Sequence, residues 1–209
     1  MPSLINTYLS VEKNPDGAEP IPKSALINDS QNVKFQLSPG KTYLVRIISI
    51  AAFASHFVHF DKHPMKIVEI DGIYTEPQDA DTILVSAAQR YSVLIQAHNN
   101  TQENFAFLSS MDPAMFDSVP PGLNPNVSGF LVYDEKKALP SAPLSLPKFN
   151  AYDDFGLVPQ DHQTLLGPVD HTVTISADFT TIEGSNRSVA SLTVIFQCIE
   201  LILVPIGLS

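Results

Sequence analysis

Cysteine occurs once in this chain, at Cys198, and tryptophan does not occur at all. A single thiol excludes an internal disulfide framework and any Cys-x-x-Cys metal knuckle. Basic residues are scarce: 12 Lys and Arg stand against 22 Asp and Glu, a formal net charge of −10. That balance repels phosphate backbones and anionic lipid surfaces, and it argues against nucleic acid as a partner. The chain has no Gly-rich phosphate loop, no G-x-S-x-G elbow and no catalytic-type cysteine motif, so nucleotide chemistry and nucleophilic hydrolysis lack their parts. Its start, M-P-S-L-I-N-T-Y-L-S-V-E-K, lacks a basic n-region, an apolar h-region and a small-residue cleavage site, so no signal peptide is read and secretion is not expected of the chain as it stands. An unbroken apolar span is also missing. Leu192 to Leu208 comes nearest, but Gln197, Glu200 and Pro205 interrupt it, which disfavours a membrane anchor.

What is present describes a folded protein. Hydrophobic residues make up 44% and charged residues 16%, and 209 residues suffice for one large domain or one domain plus part of another. Seventeen prolines against nine glycines point to many reversals and extended connectors. Short β-prone runs bounded by Gly, Pro, Asn, Asp or Ser recur at Val33–Leu37, Thr42–Ile50, Phe57–Phe60, Lys66–Ile70, Thr82–Val85, Ser92–Ala97, Phe105–Leu108 and Gly129–Tyr133. Tyr43, Val45 and Ile47 alternate with Leu44, Arg46 and Ile48, the period-two pattern of a strand with one face on a core. No long window carries a helical period; Ser86–Arg90 and Pro113–Asp117 are single turns at most. The expectation is an all-β, Greek-key sandwich or barrel. From Ala138 to Pro168 the proline-punctuated run L-P-S-A-P-L-S-L-P reads as an extended connector, Val169–Ser176 as one further strand, and the texture changes again after Asp178.

Six histidines raise a metal hypothesis. His56, His59 and His63 are spaced H-x2-H-x3-H, but F-A-S-H-F-V-H-F is β-prone, and on a strand His56 and His59 point to opposite faces. His98, His162 and His171 read as isolated, and Cys198 has no histidine nearby, so no blue-copper set assembles. The acidic pairs Asp79/Asp81 and Asp153/Asp154 read as solvated loop carboxylates. Two carboxylates have stiffer settings. Glu19 sits in N-P-D-G-A-E-P-I-P, between turn formers and two prolines that fix their own φ and extend their predecessors. Asp117 lies in M-D-P-A-M-F-D-S-V-P-P, flanked by the apolar anchors Phe116 and Val119. Oxygen donors of this kind suit hard or borderline divalent cations. Asn28, Asn99 and Asn126 open N-glycosylation sequons in turn-like surroundings, with a fourth at Asn186.

Read in order, G-A-E-P-I-P, P-G-K-T-Y-L-V-R-I-I, H-P-M-K-I-V-E-I-D-G, A-A-Q-R-Y-S-V-L-I, the N-F-A and M-F-D stretches, L-V-Y-D, D-D-F-G-L-V-P and G-P-V-D-H-T-V-T-I resemble the fungal iron-uptake multicopper ferroxidases over about Leu9 to Asp178. Members of that family are similar to laccases, with three cupredoxin domains and copper ligands in the first and third. The resemblance implies a cupredoxin-like (plastocyanin-like) middle domain at 25–137, preceded by an interdomain linker at 1–24. It is followed by the connector 138–168, the first strand of a truncated third domain at 169–178, and a divergent tail at 179–209. It further implies that Glu19 and Asp117 bind Fe(II), that His63 is a structural loop histidine, and that copper belongs to the parent family with none expected on this chain. The parent reaction is Fe(II) oxidation coupled to reduction of O2 to water. Expected partners are the absent first and third domains, Fe(II) and an iron permease, at the cell surface.

The blocks H-W-H, H-P-F-H-L-H-G-H and H-C-H do not occur. With them would go the third iron carboxylate and the cysteine–histidine route to copper. Where the family continues past Asp178 through an asparagine-rich hairpin, this chain reads F-T-T-I-E-G-S-N-R-S-V-A-S-L. The expectation is a fragment that is not catalytic by itself, with Met1 an internal methionine and the tail a translated non-coding stretch or frame error. Sequencing the transcript tests this. The alternative is a copper-free cupredoxin serving as a binding or scaffold module.

Overall fold

The computed structural model describes residues 12, 22, 24–101, 103–116, 119, 121–141, 146, 149–163, 173–181 and 188–195. The chain divides into two compact units, one of residues 22–163 and one combining 1–21 with 164–209.

The larger unit holds nine strands: β1 (Lys34–Gln36), β2 (Thr42–Ile48), β3 (His56–Phe60), β4 (Met65–Ile70), β5 (Ile73–Ala80), β6 (Thr82–Val85), β7 (Arg90–Gln96), β8 (Phe105–Met111) and β9 (Asn126–Val132). They form two sheets, ordered β1-β9-β8-β3-β6 and β2-β7-β4-β5, a sandwich with no closed barrel among the described residues. All pairs are antiparallel except β1 with β9. The alternation expected of β2 is met: Tyr43, Val45 and Ile47 turn inward to the core, and Thr42, Leu44, Arg46 and Ile48 are exposed. The core between the sheets includes Met65, Ile67, Val93, Ile95, Ile83 and Phe107, supplied by both layers. The single turns expected at 113–117 and 86–90 appear as a 3-10 turn at Pro113–Met115, capped by the Asp112 side chain on the Ala114 N–H, and as a turn at 87–88.

β5 escapes a reading of the sequence because Pro77 lies inside it. An edge strand tolerates proline, since one side of its backbone needs no partner. Among the described strands β5 pairs with β4 alone, and the register breaks between Ile67↔Gln78 and Glu69↔Tyr74, the interval that contains Pro77.

Within the stretch read as a connector, residues 152–160 lie along the sandwich as a strap. Tyr152 N–H donates to the Thr82 carbonyl (2.9 Å) on edge strand β6, and Gln160 N–H to the Tyr74 carbonyl (2.9 Å) on edge strand β5. Glu76 N–H returns a bond to Val158 O (2.8 Å). One short segment therefore occupies an exposed edge of each sheet, a place otherwise open to pairing with foreign strands. Its Asp154 carboxylate accepts from Tyr91 Oη (3.1 Å) and Gln89 Nε2 (3.2 Å). Burial, and then the Asp154 charge, push the Tyr91 phenol above its ordinary range.

In the smaller unit β10 (Thr174–Thr181) and β11 (Ser188–Ile195) form an antiparallel hairpin with eight facing pairs, from Thr174↔Ile195 to Thr181↔Ser188. The strand expected at 169–176 begins later and runs on past Asp178, and part of the apolar tail is its partner strand. The β-branched residues Thr174 and Ile175 suit that pairing.

Candidate functional site

Glu19 and Asp117 lie outside the described residues, as do Cys198, His171 and Asn186. Phe116, the residue before Asp117, is described. Ala25, Ala54, Met111 and Val127 form a small buried cluster, separate from the main core, against which Phe53 and Phe116 pack. Phe116 meets Phe53 edge to face, ring centroids 5.8 Å apart, and the Met115 sulfur lies 3.1 Å from the Ser55 backbone nitrogen. The residue just before Asp117 is thus held by aromatic packing.

The described histidines do not compose a copper site. On β3, His56 Nδ1 lies 2.9 Å from Ser109 Oγ, while His59 Nδ1 lies 2.8 Å from the Asp81 carbonyl oxygen. Strand geometry sends them to opposite faces, as the spacing implied. His63 has both ring nitrogens engaged, by the Asp61 carbonyl oxygen (2.6 Å) and the Tyr133 hydroxyl (2.7 Å). Burial holds His56 and His63 below the ordinary histidine range, and for His63 the neighbouring His98 adds to the effect while Asp61 opposes it. Among the described residues no three His, Cys, Asp or Glu side chains come together in a way that would hold a metal ion. These donors do not fit copper.

His98 is not isolated, contrary to its sequence spacing. Its ring lies against His63, centroids 4.4 Å apart, and beside Phe105 at 5.2 Å. Pairing of strands far apart in sequence brings these loops together, which no local pattern encodes. A second feature was also missed. Asn104 is 6% exposed and uses its whole amide: Nδ2 donates to the carbonyls of Asp134 (3.0 Å) and Lys137 (3.1 Å), while Oδ1 accepts from the N–H groups of Tyr133 (2.8 Å) and Asp134 (3.1 Å). In sequence it is a polar residue directly before an apolar strand, within the N-F-A block, and neither tells which remote groups its amide would meet.

Asn28 is exposed at a turn, with φ of 49°, between the bridged residues Ile27 and Ser30. Asn99 is exposed just after β7, whereas Asn126 is half-buried and opens β9 opposite Ser110. No helix among the described residues is long and apolar enough to cross a membrane.

The multicopper oxidase family profile matches residues 1–136. The chain is 46% identical over 173 residues to the iron transport multicopper oxidase fetC of Epichloe festucae, covering 83% of this chain and 28% of that protein. To the iron transport multicopper oxidase FET3 of Saccharomyces cerevisiae it is 37% identical over 172 residues, covering 82% of this chain and 27% of that protein. The fold matches the crystal structure of Fet3p, a multicopper oxidase that functions in iron import, with a TM-score of 0.83 at 34% identity over 93% of this chain and 36% of that one. A laccase from Botrytis aclada shares the fold at a TM-score of 0.61 and 20% identity, over 78% of this chain and 29% of the laccase. The sandwich is therefore cupredoxin-like, and the chain spans under a third of the length of these curated relatives. This chain belongs to the multicopper oxidase family of oxidoreductases, matching part of the length of its fungal iron-transport members.

Proposed function

We propose that this chain is the middle cupredoxin domain of an iron-oxidising multicopper oxidase, and that Glu19 and Asp117 contribute carboxylate ligands to the Fe(II) substrate. The observation that carries the reading is the match to iron-transport multicopper oxidases over the stretches that hold both acids, G-A-E-P-I-P and M-F-D. Carboxylates attract Fe(II) and hold Fe(III) more tightly still, so they lower the potential at which the bound ion gives up its electron. The chain's acidic balance adds long-range attraction for a cation. By itself the chain neither binds type 1 copper nor turns over iron. Blue absorbance from a thiolate–copper bond, or catalytic O2 consumption with Fe(II), would overturn that part of the reading.

The site is tested by anaerobic calorimetric titration of Fe(II) into the chain, its Glu19→Ala and Asp117→Ala variants and an exposed-acid control, Asp79→Ala. Each site variant is expected to weaken binding at least about tenfold, the loss of one charge-assisted ligand. Equal binding by all four proteins sinks the assignment.

The remaining parts of the reading concern surroundings. Leu44 (51% exposed), Ile48 (62%) and Ile50 (87%) present apolar side chains on and just after β2, a surface suited to flanking domains of a longer oxidase. An iron permease at the cell surface is the proposed partner of that whole. Asn28 and Asn99, exposed at turns, are proposed glycan acceptors, and Asn126, held at the start of a strand, a poor one. Peptide mapping after expression through a yeast secretory pathway should find modification at the first two. Predominant occupancy of Asn126 would contradict the ranking.

A further inference from the structure

We propose that His63, His98 and Tyr133 form an acid-sensitive clasp, closing one end of the sandwich at neutral pH and releasing it when His63 takes up a proton. The three come from separate stretches: His63 from the β3–β4 loop, His98 from just after β7, Tyr133 from just after β9. His63 is 1% exposed, and its Nδ1 faces the Asp61 carbonyl at 2.6 Å. A carbonyl oxygen only accepts, so Nδ1 carries the hydrogen and Nε2 is the bare acceptor. The Tyr133 hydroxyl, 2.7 Å from Nε2, therefore donates to it, while the same oxygen accepts the His98 backbone N–H at 2.8 Å. One hydroxyl thus joins all three stretches.

Protonation of Nε2 reverses that arrangement. Two N–H groups then point at the tyrosine oxygen, and the tyrosine hydrogen loses its acceptor. The His98 ring stands edge-on with its centroid 4.4 Å from that of His63, and its Nε2 is buried without a hydrogen-bond partner among the described residues. A positive charge on His63 is therefore desolvated and faces a second titratable ring. The neighbouring charges offer little relief. The Asp61 carboxylate is attractive, but Lys62 sits over the Phe105 ring at 5.4 Å and pairs with Glu103 at 3.5 Å. The Asp134 carboxylate accepts the Lys136 N–H, and the Tyr43 hydroxyl accepts the Ser38 N–H. Burial wins over Asp61 and holds His63 below its ordinary range. The sign follows: a histidine depressed in the folded state contributes stability above about pH 6.5, its unfolded value, and loses it as pH falls toward the folded value.

The test combines a histidine-ring NMR titration of the full chain with hydrogen exchange, corrected for intrinsic rates, across residues 97–105 and 133–138. His63 should titrate below the ordinary range, and opening of both segments should rise by up to about tenfold per pH unit below 6.5, the limit for one linked proton. His63→Gln retains a donor and an acceptor without the titration, and should abolish that pH dependence. His162→Gln, changing an exposed histidine, should leave it intact. A His63 that titrates at or above the ordinary range overturns the clasp, and this measurement stands even if His63→Gln does not fold. An unchanged slope in a folded His63→Gln protein overturns it equally.

Discussion

Gly129→Ala is expected to destabilise the sandwich by about 3 kcal/mol or more, at the upper end of what overpacking a core costs. Gly129 faces Phe107 directly across the β8–β9 pairing. A Cβ at this position would stand 2.2 Å from the Phe107 ring and 3.0 Å from the Val33 carbonyl oxygen. The ring has nowhere to go: Phe107 is 4% exposed and stacked between Phe35 and Phe60, centroids 5.5 and 5.2 Å away. Nor can the backbone yield cheaply, because the Val33 carbonyl accepts the Phe130 N–H at 2.7 Å. Urea unfolding should show a lower midpoint with an unchanged slope. Gly156→Ala is the control, since a Cβ there meets only the Tyr152 hydroxyl at 3.4 Å. A loss at Gly129 no greater than at Gly156 would refute the packing argument.

Asn104→Ala is expected to cost a similar amount, about 3 kcal/mol, because it strands several buried backbone groups at once. The lost amide leaves the N–H groups of Tyr133 and Asp134 and the carbonyls of Asp134 and Lys137 without their side-chain partner. Some of these groups will find water, which keeps the total below four full desolvation penalties. The effect should be local as well as global. Amide exchange at Tyr133 and Asp134 should rise before that of β4 or β7, because the end of β9 is released first. A stability loss under about 1 kcal/mol, within the range of one ordinary hydrogen bond, would show that Asn104 is not the tie the geometry implies.

The strands were legible where alternation and punctuation agreed. β2 and β6 illustrate this, with the apolar face of Tyr43, Val45 and Ile47 and the short buried run Thr82–Val85. β5 was not legible, because Pro77 and its acidic neighbours resemble a loop, and only edge placement beside β4 makes a strand of them. The strap was half legible. Its D-D-F-G-L-V-P block stood out, but its role follows from bonds to Thr82, Tyr74 and Glu76, all remote in sequence. At the candidate iron site, residue type and stiffness were readable at Glu19 and Asp117. The cluster on which Phe116 packs was not, because it draws Ala25, Ala54, Met111 and Val127 from stretches far apart in sequence.

Amino-acid order alone determined the all-β class, the acidic character and the family resemblance. Each of these is carried by local pattern, composition or ordered blocks. Only the tertiary structure decided that His63, His98 and Tyr133 share one hydroxyl, that Asn104 ties β9 to β8, and that Gly129 must lack a side chain. The reason is the same in each case. Strand order and register choose which distant residues face one another, and a period-two pattern states which face a residue takes but not whom it meets there.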